Sequence, residues 1–112
     1  METKDAIRAL SALAHENRLS IFRLLVQAGP AGLVVGKIAE SLEMANATLS
    51  FHLKELVNAG LIVGRQESRF IHYSTNYKQM GNLLSFLTEN CCQGSECEPT
   101  AKIRANSKRR TK

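Results

Sequence analysis

The sequence predicts a mainly α-helical fold, α+β in class, built from five helices and one β-hairpin. Three observations predict it. Apolar residues recur at helical spacing in five separate stretches. Two of those stretches are joined by a very short connection, Glu43-Met44-Ala45. The β-rich residues fall in two short runs joined by a hydrophilic segment, Gly64-Arg65-Gln66-Glu67-Ser68-Arg69.

Residues 4–14 place Ile7, Leu10 and Ala14 at i, i+3 and i+7, one side of a short amphipathic helix. His15-Glu16-Asn17 interrupts it with polar groups able to cap the next helix. Residues 17–28 then carry Leu19, Ile21, Phe22, Leu24, Leu25 and Val26 on nearly every side. A helix apolar most of the way round is a central, buried one. Gly29-Pro30-Ala31-Gly32 ends it.

A third helix over 34–42 has Val35, Ile38, Ala39 and Leu42 in register. After the short connection, Asn46 is the expected N-cap of a fourth helix, 47–59. Its apolar stripe is Leu49, Leu53, Leu56 and Val57, and Gly60 suits the C′ position. Leu61-Ile62-Val63 and Phe70–Thr75 are the two strands of the hairpin. A last helix over 76–90 carries Tyr77, Met80, Leu83, Leu84, Phe86 and Leu87, more large apolar residues than one face needs. There are no internal repeats. This order is that of a winged helix-turn-helix. Two helices joined by about three residues form a compact DNA-reading unit, and the second enters the major groove.

Opposite the apolar stripe of the fourth helix lie Ala47, Thr48, Phe51, Lys54, Glu55 and Asn58, with Ser50 and His52 on the flanks. Thr48 and Ser50 suit bases or phosphates, and Phe51 suits a thymine methyl. A phenylalanine opposite a core stripe calls for a groove or another packed surface; the bland alternative is packing on the hairpin base. Asn46 and Lys54 complete the helix-borne set. His52 contacts phosphate or a neighbouring helix. Arg65 and Arg69 flank the hairpin tip and suit the backbone or the minor groove; alternatively they decorate a solvated loop. His15 is expected to cap or bridge helices, and His72 to be structural.

The chain has 112 residues and a formal charge of +5, with 44% hydrophobic and 22% charged residues. That fits one globular domain. No long apolar run or secretory signal is visible, so the expectation is a cytoplasmic chain without membrane contact. Six basic and no acidic residues lie in 102–112, which leaves nine basic against ten acidic residues before them. The basic balance therefore belongs to a tail. The segment 44–75 has Lys54, Arg65 and Arg69 against Glu55 and Glu67, a net of +1 that is weak for one copy on DNA. A homodimer on a palindromic operator doubles the phosphate contacts. The expected division is 1–90 for DNA binding and dimerisation, 91–97 for an effector, and 98–112 as a disordered basic tail. The tail is either a solvated appendage or a loose phosphate-contacting arm.

All three cysteines fall in Cys91-Cys92-Gln93-Gly94-Ser95-Glu96-Cys97. Three thiols cannot all pair, and a reducing compartment keeps them as thiols. Three soft sulfurs suit a trigonal-pyramidal ion with a lone pair, As(III) or Sb(III). Zinc wants a fourth ligand, for which His72 or Glu96 has no clear spacing. Glu96 and Glu98 disfavour a free thiolate at Cys97 and so weigh against redox sensing. Another soft metal, a redox switch on Cys91 and Cys92, and no specific role all stay open. No enzyme is expected: a thiol enzyme such as an arsenate reductase needs a nucleophilic Cys in a preorganised anion loop, which 91–97 does not offer. No catalytic cofactor is called for.

Leu13-Ala14-His15-Glu16-Asn17-Arg18-Leu19 resembles the N-terminal signature of the ArsR family of metal-sensing repressors. Ala47-Thr48-Leu49-Ser50-Phe51-His52-Leu53-Lys54-Glu55-Leu56, followed by Ala59-Gly60-Leu61-Ile62, resembles the family's recognition helix and the start of its wing. The likeness covers roughly residues 5–90. It implies a homodimeric repressor whose interface uses the first and last helices, here Ile7, Leu10, Leu83 and Leu87. It also implies release of operator DNA on binding a metal or metalloid. One arsenic-sensing type has a Cys-x-Cys pair where this chain has Val34 and Gly36. The zinc-sensing type uses Asp, His and Glu on the last helix, where this chain has no Asp or His. The variant with a Cys pair just after the last helix and a third Cys downstream matches Cys91, Cys92 and Cys97. The resemblance thus points to As(III) as the effector.

Overall fold

The computed structural model describes residues 1–91. Cys92, Cys97 and the tail expected over 98–112 lie outside the described residues. The elements run α1 (Thr3–Leu13), α2 (Glu16–Ala28), β1 (Leu33–Val34), α3 (Val35–Leu42), α4 (Asn46–Asn58), β2 (Ile62–Glu67), β3 (Phe70–Thr75) and α5 (Tyr77–Leu87). All five helices and the hairpin are present, in the winged helix-turn-helix order.

The inward face of α1 is Ala6, Ala9 and Ala12, not the stripe of Ile7, Leu10 and Ala14. Alanines let α1 lie close on its neighbours, and Ile7 and Leu10 turn outward. His15 caps α2: its Nδ1 accepts the Asn17 N–H at 3.1 Å. Ile21, Phe22 and Leu25 of α2 are buried, while Leu19 is exposed. The core closes on them with Ile38 of α3, Leu49, Leu53 and Leu56 of α4, and Leu61, Ile62 and Leu83.

Glu43 ends α3 in the left-handed conformation, φ 51°, and the Met44 N–H bonds the Ala39 carbonyl at 3.0 Å. This makes the turn before α4 short. The cap of α4 is Ala45, without a side-chain bond, and Asn46 is already helical. Its buried stripe is Leu49, His52, Leu53 and Leu56, with Val57 outside. Gly60 follows the helix at φ +78°.

Two features of the sheet differ from expectation. Leu33–Val34 forms a strand that pairs with Tyr73 and His72, giving a three-stranded antiparallel sheet in the order β1-β3-β2. Two residues are too few to show alternation in a sequence. The strand β2 also extends well beyond Val63, pairing from Ile62↔Thr75 to Glu67↔Phe70. The hydrophilic stretch is therefore mostly ladder, and the turn is Ser68-Arg69, with Ser68 at φ 61°. Both faces of the outer wing are exposed, so backbone pairing holds it without an apolar pattern to announce it.

The wing base is tied to the ends of α4 and α5. The Asn76 amide donates to the Gly60 carbonyl at 3.0 Å, and its oxygen caps α5 by accepting the Gln79 N–H at 3.1 Å. α5 stops at Leu87, short of residue 90.

Candidate nucleic-acid interface

The core stripe of α4 fixes which of its residues face outward. Asn46, Thr48, Ser50, Phe51 and Lys54 are all exposed. They form one polar face with a single aromatic ring on it. Phe51 is 56% exposed, and its only ring contact among the described residues is His52, at 5.4 Å between centroids. More than half of the side chain is open, so it is not packed away on the hairpin base. A face of hydroxyls, an amide, a lysine and one ring has the donors and apolar surface that base edges and phosphates require.

The structure places His52 elsewhere. It is 5% exposed, on the core side of α4. Its Nδ1 lies 3.4 Å from Nη1 of Arg18, and its ring meets that of His15 at 4.7 Å. Burial, then the nearby His15 and Arg18, hold its pKa below the usual 6.5, against the pull of Glu55. Of the two roles expected for His52, the contact with a neighbouring helix is the one formed. The phosphate contact is not available, because the leucines at 49, 53 and 56 carry the whole stripe inward with His52 in register.

On the wing, Arg65 and Arg69 are exposed but differ. Arg65 Nε donates to Glu67 Oε2 at 2.8 Å, and its Nη2 reaches the Ala31 carbonyl at 3.4 Å. That hydrogen bond is the main cause holding the Glu67 carboxyl below its usual 4.5. Arg65 is thus partly neutralised on its own strand. Arg69 sits in the turn at the tip, with no ion pair among the described residues.

The residues expected at a dimer face also separate. Ile7, Leu10 and Leu87 are exposed. Leu83 is 6% exposed and belongs to the core, because one side of α5 must close the protomer. Its neighbour Leu84 is 57% exposed and stands with Leu87 on the outer side.

Of the three cysteines, Cys91 is described. It follows α5 closely, with its N–H bonded to the Thr88 carbonyl at 3.0 Å. Among the described residues, no three His, Cys, Asp or Glu side chains converge on a metal-sized site. His72 lies on β3, with Nδ1 3.8 Å from Glu67. No described helix is long and apolar enough to cross a membrane.

Sequence reasoning missed Arg18. Its Nε donates to the Ala12 carbonyl at 2.8 Å, so it bridges the end of α1 to α4. The available signal was His52 itself, three residues after Leu49 on the apolar side.

The arrangement matches known proteins. A helix-turn-helix domain family matches residues 13–65. The arsenical resistance operon repressor of Bacillus subtilis (strain 168) is 36% identical over 96 residues, covering 81% of this chain and 88% of its own. The solved structure of HlyU from Vibrio cholerae N16961 is 30% identical with a TM-score of 0.64, covering 82% of this chain and 99% of that one. HlyU of that organism is described as a transcriptional activator. A homodimeric winged helix-turn-helix DNA-binding domain from Mycobacterium bovis shares the fold at 24% identity and a TM-score of 0.61, covering 85% of this chain and 88% of that one.

Proposed function

The chain belongs to the ArsR family of winged helix-turn-helix transcriptional regulators, and from that premise we propose that it is a homodimeric repressor of operator DNA released by trivalent arsenic. The observation that carries the DNA reading is the exposed face of α4, where Phe51 stands among Asn46, Thr48, Ser50 and Lys54. Arg69 at the wing tip adds a cation for the backbone or minor groove. Two copies supply the phosphate contacts that one near-neutral body lacks. The outward Ile7, Leu10, Leu84 and Leu87 supply apolar surface for the second copy.

The proposed effector site is Cys91, Cys92 and Cys97, with As(III) as effector and Sb(III) as its chemical neighbour. Three thiols lose three protons to arsenite, three sulfur–arsenic bonds form, and three waters leave. The similarity to an arsenical resistance operon repressor supports this reading. So does the position of Cys91, four residues beyond the end of α5, a helix that offers apolar surface to the dimer. Drawing the sulfurs together reorganises the end of that helix. Coupling of ordinary size, about 1–3 kcal/mol, lowers operator affinity about 5–150-fold.

The test uses the full reduced chain and a duplex that it enriches from a random-sequence pool. Arsenite is titrated into the complex while sulfur-to-arsenic absorption and DNA release are followed. The expected result is release in step with absorption, lost in Cys97→Ser. Release by peroxide but not by arsenite overturns the metalloid reading in favour of thiol oxidation. A full arsenite response in Cys97→Ser overturns the three-sulfur site.

A further inference from the structure

We infer that Arg18 is a positioning residue that holds the DNA-reading helix through His52 and ties it to the end of α1. Arg18 lies in the first turn of α2. Its Nε donates to the carbonyl of Ala12 at 2.8 Å. Ala12 is in the last turn of α1, where carbonyls have no partner within the helix. The other arm of the guanidinium places Nη1 3.4 Å from His52 Nδ1. A guanidinium only donates, so Nδ1 must be the bare acceptor and the ring proton must sit on Nε2. The His15 ring closes the third side at 4.7 Å, tilted by 50°. One planar group therefore joins the end of α1, the start of α2 and the middle of α4.

The outer face of α1 carries Ile7 and Leu10, and the outer face of α4 carries Phe51. The inference rests on the proposed reading of those faces as dimer and DNA surfaces. Arg18 is then the short route between them: moving the end of α1 moves the group that fixes His52. Phe51 is the preceding residue on α4, so a rotation that follows His52 re-aims its ring.

The latch works with one protonation state. A proton on Nδ1 sets two donors and two cations against each other in a buried site. The charged or titratable groups facing the ring are Arg18 from α2, His15 from the junction before it, and Glu55 on α4 itself. Burial, then His15 and Arg18, hold the His52 pKa below the usual 6.5, with Glu55 opposing. The latch is therefore closed at pH 7.5 and opens as pH falls through the His52 pKa, below 6.5.

Affinity for the enriched duplex is measured from pH 7.5 to 5.0 at fixed salt, for the wild type, His52→Asn, Arg18→Gln and the double variant. Asn keeps an acceptor near the Nδ1 position and does not titrate. Against His52→Asn, wild-type affinity is expected to fall about tenfold over this range, the size of one charged hydrogen bond. Arg18→Gln is expected to lose about tenfold at pH 7.5, with little further loss in the double variant. Parallel pH profiles for the wild type and His52→Asn overturn the inference, as does an unchanged affinity of Arg18→Gln at pH 7.5. If the wild type enriches no duplex, the DNA reading fails on its own, and nitrogen-15 spectra of His52 with amide exchange of α4 decide the latch. An unprotonated Nδ1 and faster α4 exchange in Arg18→Gln uphold it. A protonated Nδ1 at pH 7.5, or unchanged exchange, overturns it.

Discussion

Phe51 and His52 are consecutive on α4, the first on its open side and the second on its core side, and their rings meet edge to face at 5.4 Å. Phe51 is 56% exposed and His52 5%. Removing the outer ring should therefore leave the fold alone. Phe51→Ala is expected to change stability by no more than about 0.5 kcal/mol and to weaken DNA binding about tenfold. Circular dichroism melts and fluorescence anisotropy on the selected duplex check the two halves. Unchanged binding would remove α4 from the interface.

Leu83 and Leu84 make a similar pair on α5. Leu83→Ala empties part of the core and is expected to cost about 2–5 kcal/mol in urea unfolding. Leu84→Glu puts a charge on the outer face and is expected to shift sedimentation towards a single copy. A Leu84→Glu variant that sediments like the wild type would place the second copy elsewhere.

Glu67 restrains the wing. Its carboxylate accepts from Arg65 at 2.8 Å and cancels a cation that DNA could use. Glu67→Gln is expected to raise DNA affinity severalfold at low salt and steepen the salt slope by about one. The sign for pH follows from the lowered carboxyl pKa. The pair is intact above the usual 4.5 and is lost as pH falls through the lowered value. Equal salt slopes for Glu67→Gln and the wild type would show that Arg65 does not reach phosphate.

Gly32 sets the start of β1. It has φ +75°, and a Cβ there would collide with the Tyr73 carbonyl on β3. Gly32→Ala is expected to cost about 2 kcal/mol or more. Gly29 has φ +88° and ψ −176° with open space around it, so Gly29→Ala meets backbone strain alone, about 1–3 kcal/mol. Chemical denaturation of both variants separates clash from strain. Equal losses would mean that the sheet yields at no cost.

How much was legible follows from what each residue faces. Ile21, Leu25, Ile38, Leu49 and Leu56 declare themselves, because a buried helix stripe must repeat every three or four residues. The short turn after Leu42 and the glycine after α4 follow from backbone rules. By contrast, Ala6, Ala9 and Ala12 carry no strong hydrophobic signal, yet they are the inner face of α1. The outer part of β2 is held by main-chain bonds that side-chain patterns do not record. The site divided in the same way. Phe51 stands out by lying opposite the stripe, whereas the partner of His52, Arg18, comes from another helix and is set by how α2 packs on α4.

The fold class, five helices with one hairpin, is determined by the sequence alone, since local periodicity and turn chemistry act between near neighbours. The exposed face of α4 came with it. Only the tertiary structure decided that Leu83 turns inward and Leu84 outward, and that Arg18 reaches both Ala12 and His52. Those outcomes depend on which element packs against which face. That is fixed when distant segments meet, and no spacing within one helix contains it.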